Sequence, residues 1–233
     1  MWRWSCERQK TTRVDPAVLE NLAQFDSPTL FNALVKLGGL PNEEYTDHTI
    51  RGMTPALGPV LGYAVTVEVT TNDPHPQSIP WLGYYELLES LDGPLVTVMK
   101  DVDSRPGRGA SFGDGMAGLH KRLGVVGAIV DGTIRDVSGI ERVGLPMWAW
   151  GAVPGHGVFE LARFGGSTTV GQLRVHTGDL LFADADGCVR IPVDQAVDVA
   201  AAAAEVRTWE AGIHGFVNSD EFTFAEWKAR HLS

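Results

Sequence analysis

The sequence lacks several features that would place it in a specialised class of protein. It has only two cysteines, Cys6 and Cys188, which lie far apart and do not have the spacing of a metal site. We expect two reduced thiols rather than a disulfide scaffold. No apolar run approaches the roughly 18 residues needed to cross a bilayer, and the charged start MWRWSCERQK does not match a secretory signal. The sequence thus predicts a cytoplasmic protein with no membrane partner.

Basic residues are also scarce. There are 19 Lys and Arg residues against 29 Asp and Glu residues, and the formal net charge is −10 at pH 7. Because an acidic surface repels phosphate backbones, we expect no nucleic-acid partner. The chain also lacks repeats and low-complexity stretches. With 44% hydrophobic and 21% charged residues, its composition is that of a packed globular protein and excludes collagen, coiled coils and wholesale disorder.

Glycine is the residue in excess, with 27 of 233 positions, well above the usual frequency of about 7%. The glycines lie between short apolar segments, as in a fold with many strands and tight turns. We predict one α/β domain over residues 27–212, with a helical N-terminal arm (1–26) and a C-terminal helical extension (213–233). There is no linker-like stretch that would divide the central region.

Local patterns predict the order of the helices and strands. Asp15-Pro16 and Ser27-Pro28 are typical helix starts, and Val65, Val67 and Val69 alternate with polar or small residues as in a strand. Helices are predicted at Pro80–Leu91, Gly115–Leu123, Arg135–Val143, Asp194–Gly212 and near Glu221–His231. Strands are predicted at Pro94–Met99, Val125–Val130 and Pro146–Trp150, followed by several short strands within Thr168–Ile191.

The segment Ala110–Asp136 carries the most chemical information. Gly113-Asp114-Gly115 stands at a predicted helix start, where free N–H groups and the helix dipole favour an anion such as a carboxylate. Asp131-Gly132 is predicted to form a turn that delivers Arg135 and Asp136 beyond the carboxyl end of a strand, where α/β folds build sites. The adjacent Arg and Asp could form a surface ion pair. Alternatively, Asp136 holds a divalent metal while Arg135 grips a carbonyl or carboxylate.

The spacing Asp114, twenty residues, Arg135-Asp136 resembles the D-x20-R-D signature of the RraA-like family, which includes the class II pyruvate aldolases. The stretch Gly124–Asp136 resembles the context G-x-x-G-x-V-x-D-G-x-x-R-D, with Ile129 at the Val position, and His176–Pro192 is similar to a downstream family pattern. The resemblance covers roughly residues 27–210. It implies a swivelling β/β/α sandwich that assembles as a homotrimer or homohexamer.

The resemblance also implies roles for individual residues. Asp136 would be the direct ligand of Mg²⁺ or Mn²⁺, with waters completing most of the coordination shell. Arg135 would contact the 2-oxo oxygen of the substrate and stabilise an enolate, and Asp114 would hold a metal-bound water that acts as the base or relays to it. Gly113 would let the substrate approach closely, and the N–H groups of Gly115 and Met116 would bind its carboxylate.

The resemblance therefore implies a divalent-metal-dependent lyase that cleaves a 4-hydroxy-2-oxo acid to pyruvate through an enolate. The same site could decarboxylate oxaloacetate. The sequence leaves two alternatives open. One is a non-catalytic regulator that binds a ribonuclease, the kind of protein from which the family takes its name. The other is a lyase for another hydroxy acid or sugar acid that uses the same metal–enolate site.

Other residues are weaker candidates, and the sequence leaves their roles open. Two arginines, Arg105 and Arg108, could recruit a second carboxylate of the substrate or could simply be solvated. The remaining candidates are loop and turn residues: Asn72 and His75 as substrate contacts, His156 as a proton shuttle, and Asp184 with Asp186 as a metal-like spacing that is more typical of a turn. The chain also reads Phe31-Asn32 where the family often has Ser-Asp, which leaves the substrate's identity open.

Overall fold

The computed structural model describes residues 13–40, 42–73 and 78–231. Within these ranges the chain forms seven α-helices and eleven β-strands. The helices are α1 (Pro16–Leu22), α2 (Ser27–Gly38), α3 (Trp81–Ser90), α4 (Asp114–Arg122), α5 (Val137–Val143), α6 (Ala196–Val217) and α7 (Phe224–His231). The strands are β1 (Arg51–Gly52), β2 (Val60–Thr70), β3 (Leu95–Asp101), β4 (Ala110–Phe112), β5 (Val125–Ile134), β6 (Met147–Ala152), β7 (Glu160–Phe164), β8 (Ser167–Val170), β9 (Leu173–His176), β10 (Leu180–Asp184) and β11 (Gly187–Ile191).

Nine of the strands form one mixed sheet in the order β1-β6-β5-β3-β2-β10-β11, with β4 paired to β5 and β7 paired to β2. Strands β2, β3, β5 and β6 run parallel to one another. Their carboxyl ends consequently share one edge of the sheet, the edge at which open α/β folds place ligands. Strands β8 and β9 form a separate antiparallel hairpin.

The two faces of the sheet are covered by different elements. Helices α3, α4 and α5 pack on one face, against the side chains of Val65, Val67 and Val130. The β8–β9 hairpin packs on the opposite face, where Val96 and Val98 are buried. Residues of β3 alternate between the two clusters because successive strand side chains point to opposite faces. The predicted α/β class and its single-domain organisation are confirmed.

A third cluster connects the ends of the chain. Apolar side chains of helices α1, α2 and α6 pack against those of strands β10 and β11. The buried residues include Leu30 of α2, Phe182 of β10 and Val199 of α6. Helix α6 continues through residue 212 without a break. The proposed boundaries at 26/27 and 212/213 stay predictions. No helix within the described residues combines the length and the apolar character needed to cross a membrane.

Both predicted helix starts near the N-terminus are present, but the second uses a different cap. Asp15 accepts a hydrogen bond from the Ala17 N–H and precedes Pro16 in the first helical position. In α2 the capping residue is Asp26 rather than the predicted Ser27, and its carboxylate accepts from the Thr29 N–H at 2.8 Å. The backbone N–H and the hydroxyl of Ser27 instead donate hydrogen bonds to the carboxylate of Asp184.

The predicted turn at Asp131-Gly132 is wrong, because β5 runs through both residues and ends at Ile134. The polar side chain of Asp131 is tolerated inside the sheet because it is satisfied there. Lys100, its register partner on β3, donates to it at 2.6 Å, and the indole N–H of Trp150 donates at 2.7 Å. Arg135 and Asp136 still follow directly at the end of the strand.

Candidate active site

The candidate site lies where β5 ends and α4 begins. The backbone N–H of Arg135 donates to the carbonyl oxygen of Phe112 at 2.9 Å, and the N–H of Val153 donates to Ile134 at 2.9 Å. Residues on both sides of β5 therefore fix the backbone at the point where the strand ends. The same hydrogen bond places Arg135 and Asp136 beside Gly113, the residue that follows Phe112.

Gly113 allows a very close approach to the Arg135-Asp136 pair. A Cβ atom at Gly113 would lie 3.0 Å from Oδ2 of Asp136 and 3.3 Å from Nε of Arg135. Its φ of −143° is extended, so the position requires glycine for space rather than for backbone conformation. The structure thus brings Gly113, Arg135 and Asp136 together, and their roles stay predictions.

Asp136 has a conformation that leaves its carboxylate accessible. Its backbone is left-handed, with φ 58° and ψ 37°, a region in which Asp is enriched among non-glycine residues. It stands at the N-cap of α5, but its side chain makes no capping hydrogen bond. The carboxylate is 43% exposed and lies 3.2 Å from Nε of Arg135. An ion pair this exposed contributes little to stability, so the pair is available for ligand chemistry.

The start of α4 is open to an anion. Gly113 is the N-cap and has no side chain to bond the first-turn N–H groups, and the first backbone bond of the helix runs from Ala117 to Gly113 at 3.0 Å. Among the residues that the structure describes, a Cβ atom at Gly115 would meet nothing within 4 Å. The N–H groups of Gly115 and Met116 precede that first bond, where the helix dipole favours negative charge. The predicted carboxylate cradle, Gly113–Met116, fits this geometry.

Asp114 packs against α5 in a contact that the sequence did not reveal. A Cβ atom at Gly139 would lie 2.7 Å from Cβ of Asp114 and still closer to its carboxylate. Gly139 is buried and follows Asp136 by three residues, so the two aspartates approach the same end of α5. Gly139 is a supporting residue of the site that spacing arguments missed. A glycine inside a predicted helix was the available signal.

The donor set fits a hard divalent cation better than a structural zinc ion. Among the residues that the structure describes, no group of three or more His, Cys, Asp or Glu side chains could hold a metal together. Asp136 offers one accessible carboxylate, and Gly113 leaves space in front of it. One carboxylate with several waters is a usual arrangement for Mg²⁺, whereas structural zinc takes four protein ligands.

Comparison with known proteins identifies the family. The sequence model of the RraA-like family, described as Aldolase/RraA, matches residues 27–190, well over half of the chain. The chain belongs to the RraA-like family. A protein of Halalkalibacterium halodurans named "Putative 4-hydroxy-4-methyl-2-oxoglutarate aldolase" is 30% identical over 141 residues, which are 60% of this chain and 63% of that protein. The match therefore spans less than two thirds of this relative.

Solved structures share the fold of this RraA-like chain. RraAS2 of Streptomyces coelicolor, described as an unusual member of the RNase ES inhibitor RraA protein family, has a TM-score of 0.72 at 24% identity and covers 87% of this chain and 98% of its own. A protein from Pseudomonas syringae pv. tomato has a TM-score of 0.71 at 22% identity, with 91% and 96% covered. Likeness at these identities shows the fold alone.

Two loops at the same edge of the RraA-like sheet are tied together by Asp103. Its carboxylate accepts from the N–H groups of Asn72, Asp73 and Arg105 and from the Thr70 hydroxyl. Burial alone would raise the pKa of Asp103, but these donors outweigh it and lower the pKa to about 2. The loops after β2 and β3 are thereby fixed beside each other.

The weaker candidates for substrate contacts lie on loops. Arg105 and Arg108 are exposed on the loop after β3, at the edge that carries Arg135. The Asn72 amide donates to the Thr71 hydroxyl, His156 is exposed and bonds the Gly157 carbonyl, and His75 lies outside the described residues. Their proposed substrate contacts stay predictions.

The turn interpretation of Asp184 and Asp186 agrees with the structure. The Asp184 carboxylate accepts from the Ser27 N–H, the Ser27 hydroxyl and the Asp186 N–H, so it is committed to a turn and to α2. Cys188 is a buried free thiol, and Cys6 lies outside the described residues.

Proposed function

We propose that this RraA-like protein is a divalent-metal-dependent lyase that cleaves a 4-hydroxy-2-oxo acid to pyruvate through an enolate. The observation that carries the proposal is the contact of the Arg135-Asp136 pair with Gly113 at the uncapped start of α4. This arrangement places a cation, an accessible carboxylate and a set of free N–H groups side by side. An α-keto acid has a matching carboxylate next to a polarisable carbonyl.

Asp136 would hold Mg²⁺ or Mn²⁺, which when bound supplies a Lewis acid that polarises the 2-oxo group. The N–H groups of Gly115 and Met116 bind the substrate carboxylate and orient the carbonyl towards Arg135. The Arg135 guanidinium donates to the 2-oxo oxygen and stabilises the negative charge that develops there. Gly113 keeps the space between these groups free.

Cleavage of the C3–C4 bond then needs a base. Asp114, directly or through one water, accepts the proton of the C4 hydroxyl. The C4 oxygen forms a carbonyl as the C3–C4 bond breaks, and the electron pair of that bond becomes the pyruvate enolate, whose charge Arg135 stabilises. Protonation at C3 gives pyruvate. Oxaloacetate uses the same electron sink, with carbon dioxide as the group that leaves.

The name of the Halalkalibacterium halodurans relative supports an aldolase reaction. The proposed partner is a small 2-oxo acid, and the protein is proposed to act in the cytoplasm without nucleic-acid or membrane partners. A homotrimer or homohexamer is also proposed on the family resemblance, and size-exclusion chromatography with light scattering tests it. A monomer at micromolar concentration would contradict the assembly without affecting the reaction.

A lactate-dehydrogenase-coupled assay tests the activity. Purified protein is offered oxaloacetate and a series of 4-hydroxy-2-oxo acids, with Mg²⁺, with Mn²⁺ and with a chelator. We expect metal-dependent pyruvate release from at least one substrate, and loss of turnover by orders of magnitude in Arg135→Ala and in Asp136→Ala. No release with any metal, or full activity in both variants, would overturn the proposal.

A ribonuclease regulator is the second candidate function, favoured by the fold shared with RraAS2 of Streptomyces coelicolor. Binding through protein contact would not require Arg135 or Asp136. A pull-down with a ribonuclease that succeeds equally with wild type and Asp136→Ala, together with an inactive wild type in the pyruvate assay, would favour this function. If pyruvate appears only from other hydroxy acids or sugar acids, the same site serves a different lyase reaction.

A further inference from the structure

We propose that His120 is a positioning residue that holds the carboxylate cradle and the Arg135 backbone in register, an inference that rests on the proposed function. His120 lies on α4, one turn after Met116, and is completely buried. Its Nδ1 donates to the carbonyl oxygen of Met116 at 2.8 Å. The side chain therefore bonds the last residue of the cradle directly.

A second contact of His120 reaches the residue before the cradle. Its ring lies 4.9 Å from the ring of Phe112, centroid to centroid. Phe112 immediately precedes Gly113, and its carbonyl accepts the Arg135 N–H. One buried imidazole thus contacts Met116, the last residue of the cradle, and Phe112, which precedes it and binds the backbone of the proposed enolate-stabilising arginine.

The surroundings and the protonation state of the His120 ring fit a positioning role. Tyr84 and Tyr85 of α3 enclose it, with ring centroids 5.6 and 5.8 Å away. Burial lowers the pKa of His120 to about 4, so the ring is neutral near pH 7. A carbonyl only accepts hydrogen bonds, so Nδ1 carries the proton, and Nε2 is buried with no hydrogen-bond partner among the described residues.

A buried nitrogen without a hydrogen-bond partner is costly. An apolar side chain would fill this space without that cost. The feature that histidine adds is the hydrogen bond to Met116. That bond restrains the Met116 carbonyl, and the packed ring restrains Phe112. Without them, the first turn of α4 and the Phe112–Arg135 pairing can shift independently, and the cradle loses its alignment with Arg135.

Two variants separate the hydrogen bond from the packing. His120→Leu fills the space without a donor, whereas His120→Asn supplies a short amide donor at the same helical position. Tyr84→Phe is the matched control, because it removes a hydroxyl from the same aromatic cluster whose partner is Thr97 rather than the cradle. If His120→Asn does not fold, as judged by circular dichroism, His120→Gln serves as the donor variant.

The first readout is binding of oxalate, a planar analogue of the pyruvate enolate, in the presence of Mg²⁺. We expect affinity about tenfold weaker in His120→Leu, because binding must then realign the first turn of α4, with recovery in His120→Asn and no change in Tyr84→Phe. Wild-type affinity in His120→Leu, or equal losses in the Leu and Asn variants, would overturn the positioning role.

The second readout does not depend on activity. Amide hydrogen exchange of Arg135 and Ala117 in the free protein should accelerate in His120→Leu and recover in His120→Asn. If wild type neither binds oxalate nor releases pyruvate, the proposed function fails. Exchange at Arg135 then still decides whether His120 holds the two segments together, and unchanged exchange in His120→Leu would show that it does not.

Discussion

The side chain of Asp114 rests on the backbone of Gly139. Any Cβ atom at Gly139 would lie 2.7 Å from Cβ of Asp114, well inside van der Waals contact. Asp114 begins α4 and Gly139 lies in α5, so this contact fixes the distance between the two helix starts. The proposed base and the proposed metal ligand, Asp136, depend on that distance for their alignment.

Gly139→Ala should therefore disable the site while leaving the fold in place. Ala is the better helix former by about 1 kcal/mol, but its methyl group must displace Asp114, and such overpacking costs about 1–3 kcal/mol. We expect at least a tenfold fall in pyruvate turnover with an unchanged circular dichroism spectrum. Gly118→Ala is the control, because a Cβ atom there meets no atom of the described part of the chain within 4 Å. Equal activity in both variants would contradict the role of the contact.

Gly115→Ala tests the carboxylate cradle itself. The site is open and the helix has a negative φ there, so the substitution should not destabilise the protein. Since Cβ atoms of a helix tilt towards its N-terminus, the new methyl group should crowd the free N–H groups of the first turn. We expect oxalate affinity to fall about tenfold, measured by calorimetry, whereas Gly118→Ala keeps wild-type affinity. Unchanged affinity in Gly115→Ala would place the carboxylate elsewhere.

The parts of the site that are local in sequence could be predicted. Gly113, Asp114, Arg135 and Asp136 lie at the ends of elements whose order follows from hydrophobic periodicity. The contacts that support them could not be predicted, because they join different helices. Gly139 is needed only because α4 packs on α5, and His120 matters only because Phe112 and the α3 tyrosines close around it.

The error at Asp131-Gly132 has the same origin. Asp-Gly between apolar residues is a strong turn signal, and the sequence does not show which distant residues satisfy the aspartate inside a strand. Its partners are Lys100, 31 residues earlier on β3, and Trp150, 19 residues later on β6. Gly132 also has a reason beyond turn formation, because a Cβ atom there would lie 2.9 Å from Cβ of Asp101. Tertiary contacts thus override the local preference.

The buried His120 should make stability depend on pH. Burial lowers its pKa from 6.5 to about 4, so the unfolded chain binds this proton more readily than the folded protein. The stability that the protein has with a neutral His120 is fully present above pH 6.5. As the pH falls towards 4, up to about 3 kcal/mol of the free energy of unfolding is lost. The groups facing the ring, Tyr84 and Tyr85, have raised pKa values and stay uncharged in this range.

Urea unfolding of wild type and His120→Leu between pH 7 and pH 4 measures this effect. The other titrating groups contribute equally to both proteins, so the difference between their unfolding free energies isolates His120. We expect wild type to lose stability relative to His120→Leu as the pH falls. A difference that stays constant across the range would show that His120 titrates normally in the folded protein.

The proposed function requires that this site forms the enolate of pyruvate, whichever aldol substrate it serves. Proton NMR of pyruvate in deuterated buffer tests this most directly, because a reversible enolate exchanges the methyl protons for deuterons without any second substrate. We predict Mg²⁺- or Mn²⁺-dependent loss of the methyl signal with wild type, and none beyond the buffer rate with Asp136→Asn, which removes the charge with a residue that tolerates the left-handed backbone. No exchange by wild type with either metal, or equal exchange by Asp136→Asn, would contradict the proposed enolate chemistry.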